Sequence, residues 1–454
     1  MNLHSLLQQR AEQDRPIRVG LIGAGKFGAM FLAQARRTPG LHVLGIADLA
    51  PDRARDTLQR VGWPAEQYSA TGFEAALRSG ATTIVENGEA LIAETALDVV
   101  IDATGSPAAG IRHALSAVAN GKHMVMVNVE ADALAGPLLA ERARAAGLVY
   151  SLAYGDQPAL ICEMVDWARA SGFGVVCAGK GTKHQPEFHA STPETVWGHY
   201  GLSPEAAAAG GMNPKMFNSF LDGTKSGIEM AAVSNATGLT PPVNGLAFPP
   251  CGVDALPGVL RPSAAGGILS GAGMVEVVSC VEPSGGPVER DLRWGVYAVF
   301  EAPDDYVARC FAEYGLKTDT SGRYAAMYKP FHLIGLELGI SVASAGLRGE
   351  PTGAPTGWRG DVLATAKRDL NAGEILDGEG GYTVWGTLTT ASQSLALGGL
   401  PIGLADGCRL KNPVPAGEMV RRTDVDLDDN AELVRVRREM EQAFGEAPRA
   451  AVAE

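Results

Sequence analysis

The run from Ile17 to Gly28, IRVGLIGAGKFG, restricts the fold of this chain more than any other stretch. Apolar Ile17 to Ile22 reads as a strand, Gly23-Ala24-Gly25-Lys26-Phe27-Gly28 as a glycine turn, and Ala29 to Arg37 has helical periodicity. A strand that turns on G-x-G-x-x-G into a helix is the sequence form of a dinucleotide-binding unit. Gly23 serves the tight turn, Gly25 lets a pyrophosphate approach the backbone, Gly28 lets helix pack on strand, and the helix N-terminus faces the phosphates. Lys26 and Phe27 fall inside the same turn and join the cofactor-binding set. Leu41 to Ala47 is a second strand, and Asp48, about twenty residues past the last glycine, stands where a carboxylate accepts from a ribose 2′-hydroxyl. Asp48 repels a 2′-phosphate and so favours NAD, whereas Lys26 and Arg53 favour NADP; both cofactors stay open.

The βα rhythm continues. Leu97 to Ala103 is a buried parallel strand ending in Thr104-Gly105, and Lys122 to Val127 is another that delivers Asn128-Val129-Glu130 to the same sheet edge. Thr104, Gly105, Asn128 and Glu130 are therefore cofactor-side candidates. Leu148 to Ala153 ends in Asp156, a substrate-side candidate on the same edge rule.

Beyond Pro158 the pattern changes to helix, strand and a basic, glycine-interrupted stretch, Gly179 to Pro186, read as a loop whose Lys180 and Lys183 clamp an anion. Asn213 to Ala236 reads as mostly helical. Steps of three and four place Asp222, Lys225 and Glu229 on one face, with Asn235 continuing the stripe. A lysine beside two carboxylates on an otherwise apolar helix is suited to proton transfer. Phe331 to Ala345 reads as a long apolar helix returning to the first domain. Arg323 and Lys329 ahead of it are proposed ligand contacts, since a helix start has no need of cations. Arg359 to about Pro413 alternates in strand fashion as a small β module, and Ala431 to Phe444 is a charged amphipathic helix before a disordered tail.

Composition narrows the partners. A formal charge of −13 excludes nucleic acid or an anionic membrane as the main partner. Six cysteines without C-x-x-C spacing suit reduced thiols in the cytoplasm, and no run has transmembrane length. Glu130, Asp156, Asp222 and Glu229 are the carboxylates open to magnesium or manganese, although no spacing demands a metal.

Over most of its length the chain resembles the homoserine-dehydrogenase-like oxidoreductases with a C-terminal SAF (β-clip) domain, nearest to the 1-deoxy-D-xylulose 5-phosphate reductoisomerase-like (DRL) enzymes. The resemblance rests on IRVGLIGAGKFG, KHMVMVNVEAD, AYGDQPAL, AGKGTKH, FLDGTKSGIEMAA, YKPFHLIGLELGIS and AKRDLNAGEIL. It implies an α/β fold with an N-terminal Rossmann domain (1–155), an α+β substrate and dimerisation domain (156–345), an SAF-like domain (346–425) and a C-terminal helix and tail (426–454). It also implies an NAD(P)-dependent homodimeric enzyme. For DRL members it implies rearrangement and reduction of deoxyxylulose phosphate to methylerythritol phosphate. Lys225, Asp222 and Glu229 then carry the chemistry, and Lys180, Lys183, Arg323 and Lys329 hold the anion. A plain dehydrogenase of a hydroxy acid or sugar acid is the alternative, and a non-catalytic NAD-sensing module a third reading.

Overall fold

Runs that are apolar on both faces and too short for helices condense into a parallel sheet. They are β1 (Ile17–Ile22), β2 (Leu41–Ala47), β3 (Thr83–Val85), β4 (Val99–Asp102), β5 (His123–Met126) and β6 (Tyr150–Leu152). They stand in the order β3-β2-β1-β4-β5-β6, and every neighbouring pair is parallel. The order reverses between β1 and β4, and an open α/β sheet takes its ligand at the carboxyl ends of such a pair. β3 escapes the sequence reading because three residues are too few to show a period.

The computed structural model describes residues 2–445. It divides into two units, Met1–Leu160 with His332–Thr356, and Ile161–Phe331 with Gly357–Glu454. In the first unit, Val19, Leu21, Val43, Ile46, Val99 and Ile101 of the sheet pack with Phe31 and Leu32 of the Lys26–Ala35 helix and with Leu338, Val342 and Ala343 of the later segment. That segment corrects one expectation. Residues read as a helix from Phe331 to Ala345 form a helix only over Gly339–Arg348, while Lys329 closes a strand instead of preceding a helix. The cause is Gly335, held at φ +80°, where a Cβ would lie 2.7 Å from that of Met30. The apolar period there serves packing, not helix formation.

The second unit is built on a four-stranded sheet in the order β10-β9-β7-β8. It comprises β7 (Gly174–Thr182), β8 (Met274–Ser279), β9 (Val296–Glu301) and β10 (Tyr324–Lys329). β8 is parallel to β7, and β9 is antiparallel to both β7 and β10. β7 extends four residues beyond the strand read from sequence, so Lys180 stands on a strand and not in a loop. β11 (Gly360–Ala366) and β12 (Val384–Thr390) pair as an antiparallel ribbon. The Glu432–Phe444 helix is fixed by Arg437, which is fully buried, donates to Asp361 at 2.5 Å and to Glu441 at 2.6 Å, and lies over the Trp358 ring. Residues 446–454, the tail read as disordered, lie outside the described residues. Among the described residues no helix is long and apolar enough to cross a membrane, and the six cysteines are free thiols.

One buried acid in the first unit makes stability depend on pH. Asp132, on the Val129–Ala145 helix, accepts from the Tyr150 hydroxyl at 2.9 Å, and its other oxygen has no partner among the described residues. Burial pushes its carboxyl up to about 7, against the pull of the Tyr150 hydrogen bond. A carboxyl raised on folding contributes stability that is complete below its unfolded pKa near 4 and is lost as pH climbs through 7. Asp132→Asn removes this titration. Its stability relative to the parent is expected to rise by about 1.4 kcal/mol per pH unit between pH 4 and 7, read from paired thermal melts. A difference that stays flat with pH would overturn the assignment.

Candidate functional site

The glycine turn has the form a pyrophosphate needs. Gly23 sits at φ +96°, and a Cβ on it would lie 2.7 Å from the Ala103 carbonyl. A Cβ on Gly28 would lie 2.3 Å from the Gly23 carbonyl, whereas one on Gly25 would meet nothing within 4 Å. Two glycines therefore close the turn and the third leaves space above it. The Lys26–Ala35 helix starts there with no side-chain cap, so its first N–H groups are left to a ligand. These residues fit a bound dinucleotide.

Asp48 is buried at the end of β2. One oxygen accepts from the Ala24 N–H at 2.9 Å, and the other accepts from the Ala50 N–H at 2.9 Å and from Arg53 at 2.7 Å. Burial opposes its ionisation, but the N–H groups of Ala50 and Ala24 and the Arg53 guanidinium together hold the carboxyl below its ordinary range. Arg53, whose side chain is 62% exposed, thus offsets the charge that counts against a 2′-phosphate. At β4, Asp102 accepts from the Thr104 N–H and hydroxyl and contacts His113 at 2.5 Å. Thr104 and Gly105 are exposed at this turn. Asn128 is a brace: its amide donates to the Ser106 carbonyl at 2.7 Å and its oxygen caps the following helix through Ala131. Its side chain, read from sequence as a cofactor ligand, is thus engaged within the protein. Glu130 occupies the first turn of that helix, and Asp156 accepts from the Gln157 N–H.

In the second unit the expected one-faced trio is broken. The stretch read as one helix is two, Pro214–Leu221 and Thr224–Thr237, parted by Gly223 at φ +92°. Asp222 lies in the break and belongs to neither helical face. Its carboxylate caps the second helix through the Thr224 N–H at 2.9 Å and binds Lys367 at 2.8 Å, while its carbonyl accepts from the His189 ring. Lys367 also donates to the carbonyls of Ser191 and Gly381, at 2.7 and 2.8 Å. With all three ammonium protons engaged inside the fold, the pair is structural. Lys225 and Glu229 remain one turn apart on the second helix. Lys225 is half-buried, and Glu229 pairs with Lys180, their side chains only 4% and 7% exposed. Asn235 is also structural, accepting from the N–H groups of Arg359 and Gly360 at 2.7 and 2.9 Å.

The four cations of the expected clamp separate. Lys180 and Lys329 flank Val296 in one register row, on the same face of the sheet. Arg323 lies just beyond the opposite end of β10, in a partly exposed pair with Asp305. Lys183 follows β7 and donates to the His199 carbonyl. Among the described residues no group of three or more His, Cys, Asp or Glu is placed to hold a metal. Asp222 and Glu229, already neutralised by lysines, do not fit a divalent cation.

Several groups near this site carry no local sequence signal. Glu276 on β8 is buried, accepts from the N–H groups of Ala247, Phe248 and Val277, and is pushed up to about 7 by burial against those hydrogen bonds. His184 stacks on Phe248 at 3.9 Å between ring centres, and His189 stacks on Trp385 at 3.8 Å. Burial, then the neighbouring His189, pushes His184 down to about 3, so it is a neutral imidazole. Nothing in the spacing of these histidines reveals the stack.

Residues 19–152 match the family model for the homoserine dehydrogenase NAD-binding domain, and residues 155–338 match that for the catalytic domain of oxidoreductase DRL. No curated protein matches the chain. Solved structures similar to it include a homoserine dehydrogenase from Thiobacillus denitrificans, 20% identical, covering 49% of this chain and 49% of that one with a TM-score of 0.35. A myo-inositol dehydrogenase from Lactobacillus casei is 15% identical over 40% of this chain and 50% of its own, with a TM-score of 0.29. KijD10, a 3-ketoreductase from Actinomadura kijaniata, is 21% identical over 38% and 48%, with a TM-score of 0.26. The chain spans about half the length of these structures.

Proposed function

We propose that this chain, matched over residues 19–152 by the homoserine dehydrogenase NAD-binding domain and over residues 155–338 by the DRL oxidoreductase catalytic domain, is an NAD(P)-dependent oxidoreductase that rearranges and reduces a small phosphorylated carbonyl compound. The substrate that fits this reading is 1-deoxy-D-xylulose 5-phosphate, and the product is 2-C-methyl-D-erythritol 4-phosphate. The observation that carries it is Lys225. Within the segment matched to the DRL catalytic domain, it stands half-buried on the Thr224–Thr237 helix one turn before Glu229, whose charge Lys180 already neutralises. A lysine so placed gives up a proton to a developing alkoxide or takes one from a substrate hydroxyl.

Bound NADPH or NADH supplies the hydride. The glycine turn orients it, and Arg53 offsets the Asp48 charge enough for the phosphorylated form. The anionic end of the substrate belongs to the basic groups around β7. We also read the enzyme as a homodimer, because β10 ends the sheet as an edge strand with Tyr328 exposed on it. The donor set does not fit a divalent cation, which favours keeping the alternative of a sugar-acid or hydroxy-acid dehydrogenase in which Lys225 polarises the carbonyl.

The test is consumption of NADPH or NADH with deoxyxylulose phosphate, with and without magnesium or manganese, and identification of the product. Formation of methylerythritol phosphate is the expected result. No consumption under any of these conditions would sink the reductoisomerase reading and direct the search to sugar acids and hydroxy acids.

A further inference from the structure

Two cations flanking strands and a tyrosine at a helix end make a grouping that the expected clamp did not contain. Lys183 follows β7, Arg293 precedes β9, and Tyr200 ends the short Val196–Tyr200 helix. The Lys183 ammonium and the Arg293 guanidinium each lie 5.8 Å from the centre of the Tyr200 ring. Their closeness is built into the sheet. The Gly181 N–H donates to the Gly295 carbonyl, and a Cβ on Gly181 would lie 1.9 Å from the Leu292 carbonyl and 2.9 Å from the Arg293 nitrogen. Only a glycine at 181 lets the chain at Arg293 close onto β7 beside Lys183.

Among the described residues neither cation is in a salt bridge. Among the described residues, Lys183 donates to the His199 carbonyl, and the Arg293 guanidinium rests on the rings of Tyr200 and Trp294. Asp291 is the nearest acid in sequence, and its carboxylate is turned to the Arg293 backbone N–H at 2.8 Å. Burial and the charge of Arg293 lower the Lys183 pKa, which marks repulsion between the two. Burial pushes the Tyr200 hydroxyl up to about 12, so it stays a neutral donor. In a chain of net charge −13, two cations set around one tyrosine ring, neither of them in an ion pair among the described residues, are stabilised by an anion supplied from outside.

We propose that Lys183, Arg293 and Tyr200 form a binding site for a phosphate dianion, taking the phosphate terminus of the substrate. This rests on the reading of the substrate as phosphorylated. The Arg293 fork and the Lys183 ammonium bind the phosphate oxygens, and Lys180 and Arg323, committed to Glu229 and Asp305, take no part.

The experiment titrates inorganic phosphate into the full-length protein by calorimetry at fixed ionic strength, with acetate as the monoanion control. Arg293→Gln and Lys183→Gln are each expected to weaken phosphate binding by about tenfold or more. Arg293→Lys recovers part of it, since it keeps the charge without the fork, and reports the site even if a glutamine variant folds poorly. Parent protein that binds phosphate no better than acetate, or Arg293→Gln that binds like the parent, would overturn the proposal. Deoxyxylulose phosphate turnover with an unchanged KM in Arg293→Gln would also overturn it while leaving the proposed function standing. Phosphate binding lost in the variants of a protein that reduces no phosphorylated carbonyl would keep the site and remove that function.

Discussion

Lys225→Ala is expected to lower kcat by about 10²–10⁴-fold, the range that one positioned proton-transfer group supplies, while NADPH affinity measured by fluorescence titration stays within twofold. The split follows from position. Lys225 lies on the Thr224–Thr237 helix of the second unit, and the glycine turn and Asp48 lie in the first. Small primary amines added to Lys225→Ala are expected to restore part of the rate, an effect that a merely structural lysine would not show. Retention of a tenth or more of the parent kcat would remove Lys225 from the chemistry.

Lys367→Ala is expected to cost about 3–5 kcal/mol of stability, the usual cost of removing one partner from a buried ion pair. The side chains of Lys367 and Asp222 are 2% and 0% exposed, so the carboxylate would be stranded in a dry environment. The carbonyls of Ser191 and Gly381 lose the same donor. In a unit of this size the melting temperature should fall by on the order of 10 °C. The Lys367→Met, Asp222→Asn double variant should recover much of the loss, since no net charge is then left buried. A single variant melting within about 2 °C of the parent would show the pair to be expendable. Asp222 also sets the break before the helix that carries Lys225, so a fall in kcat of Lys367→Ala below its melting point is expected alongside.

The strands and the glycine turn were legible because their causes are local. Ile17–Ile22 and Leu41–Ala47 are mostly apolar runs, each with one polar residue near its start, whose ends coincide with those of β1 and β2. The Asp-Gly step at Asp222-Gly223 carried a turn signature, but the helical period on either side masked it. The long helix read into YKPFHLIGLELGIS failed for a similar reason. Its apolar residues belong in turn to an edge strand, a glycine-kinked segment and a helix, and a window of that length averages the three. The partners of the buried charges were out of reach. Lys367 and Asp222 lie 145 positions apart, and Lys180 and Glu229 lie 49 apart, so only the fold brings them together. Arg293 was invisible for the same reason, since its place beside Lys183 depends on how β9 lies against β7.

The return of His332–Thr356 to the first unit bears on how the protein is made. At the outer side of β6 the Leu152 N–H donates to the Gly353 carbonyl, and the Ser341 hydroxyl accepts from the Tyr154 N–H at 2.7 Å. Leu338, Val342 and Ala343 fill the core beneath β1 and β4. A chain emerging from the ribosome therefore carries an unfinished nucleotide-binding unit, with an open sheet edge and exposed apolar side chains, until the whole four-stranded sheet of the other unit has been synthesised. Neither unit can be completed before the other has begun, and the two ends of the 161–331 insertion are tied to one closed core. The order of synthesis and the order of folding are thus decoupled, and the growing chain depends on protection of that edge over roughly 170 residues of elongation, a delay of about 10–30 s at ordinary rates.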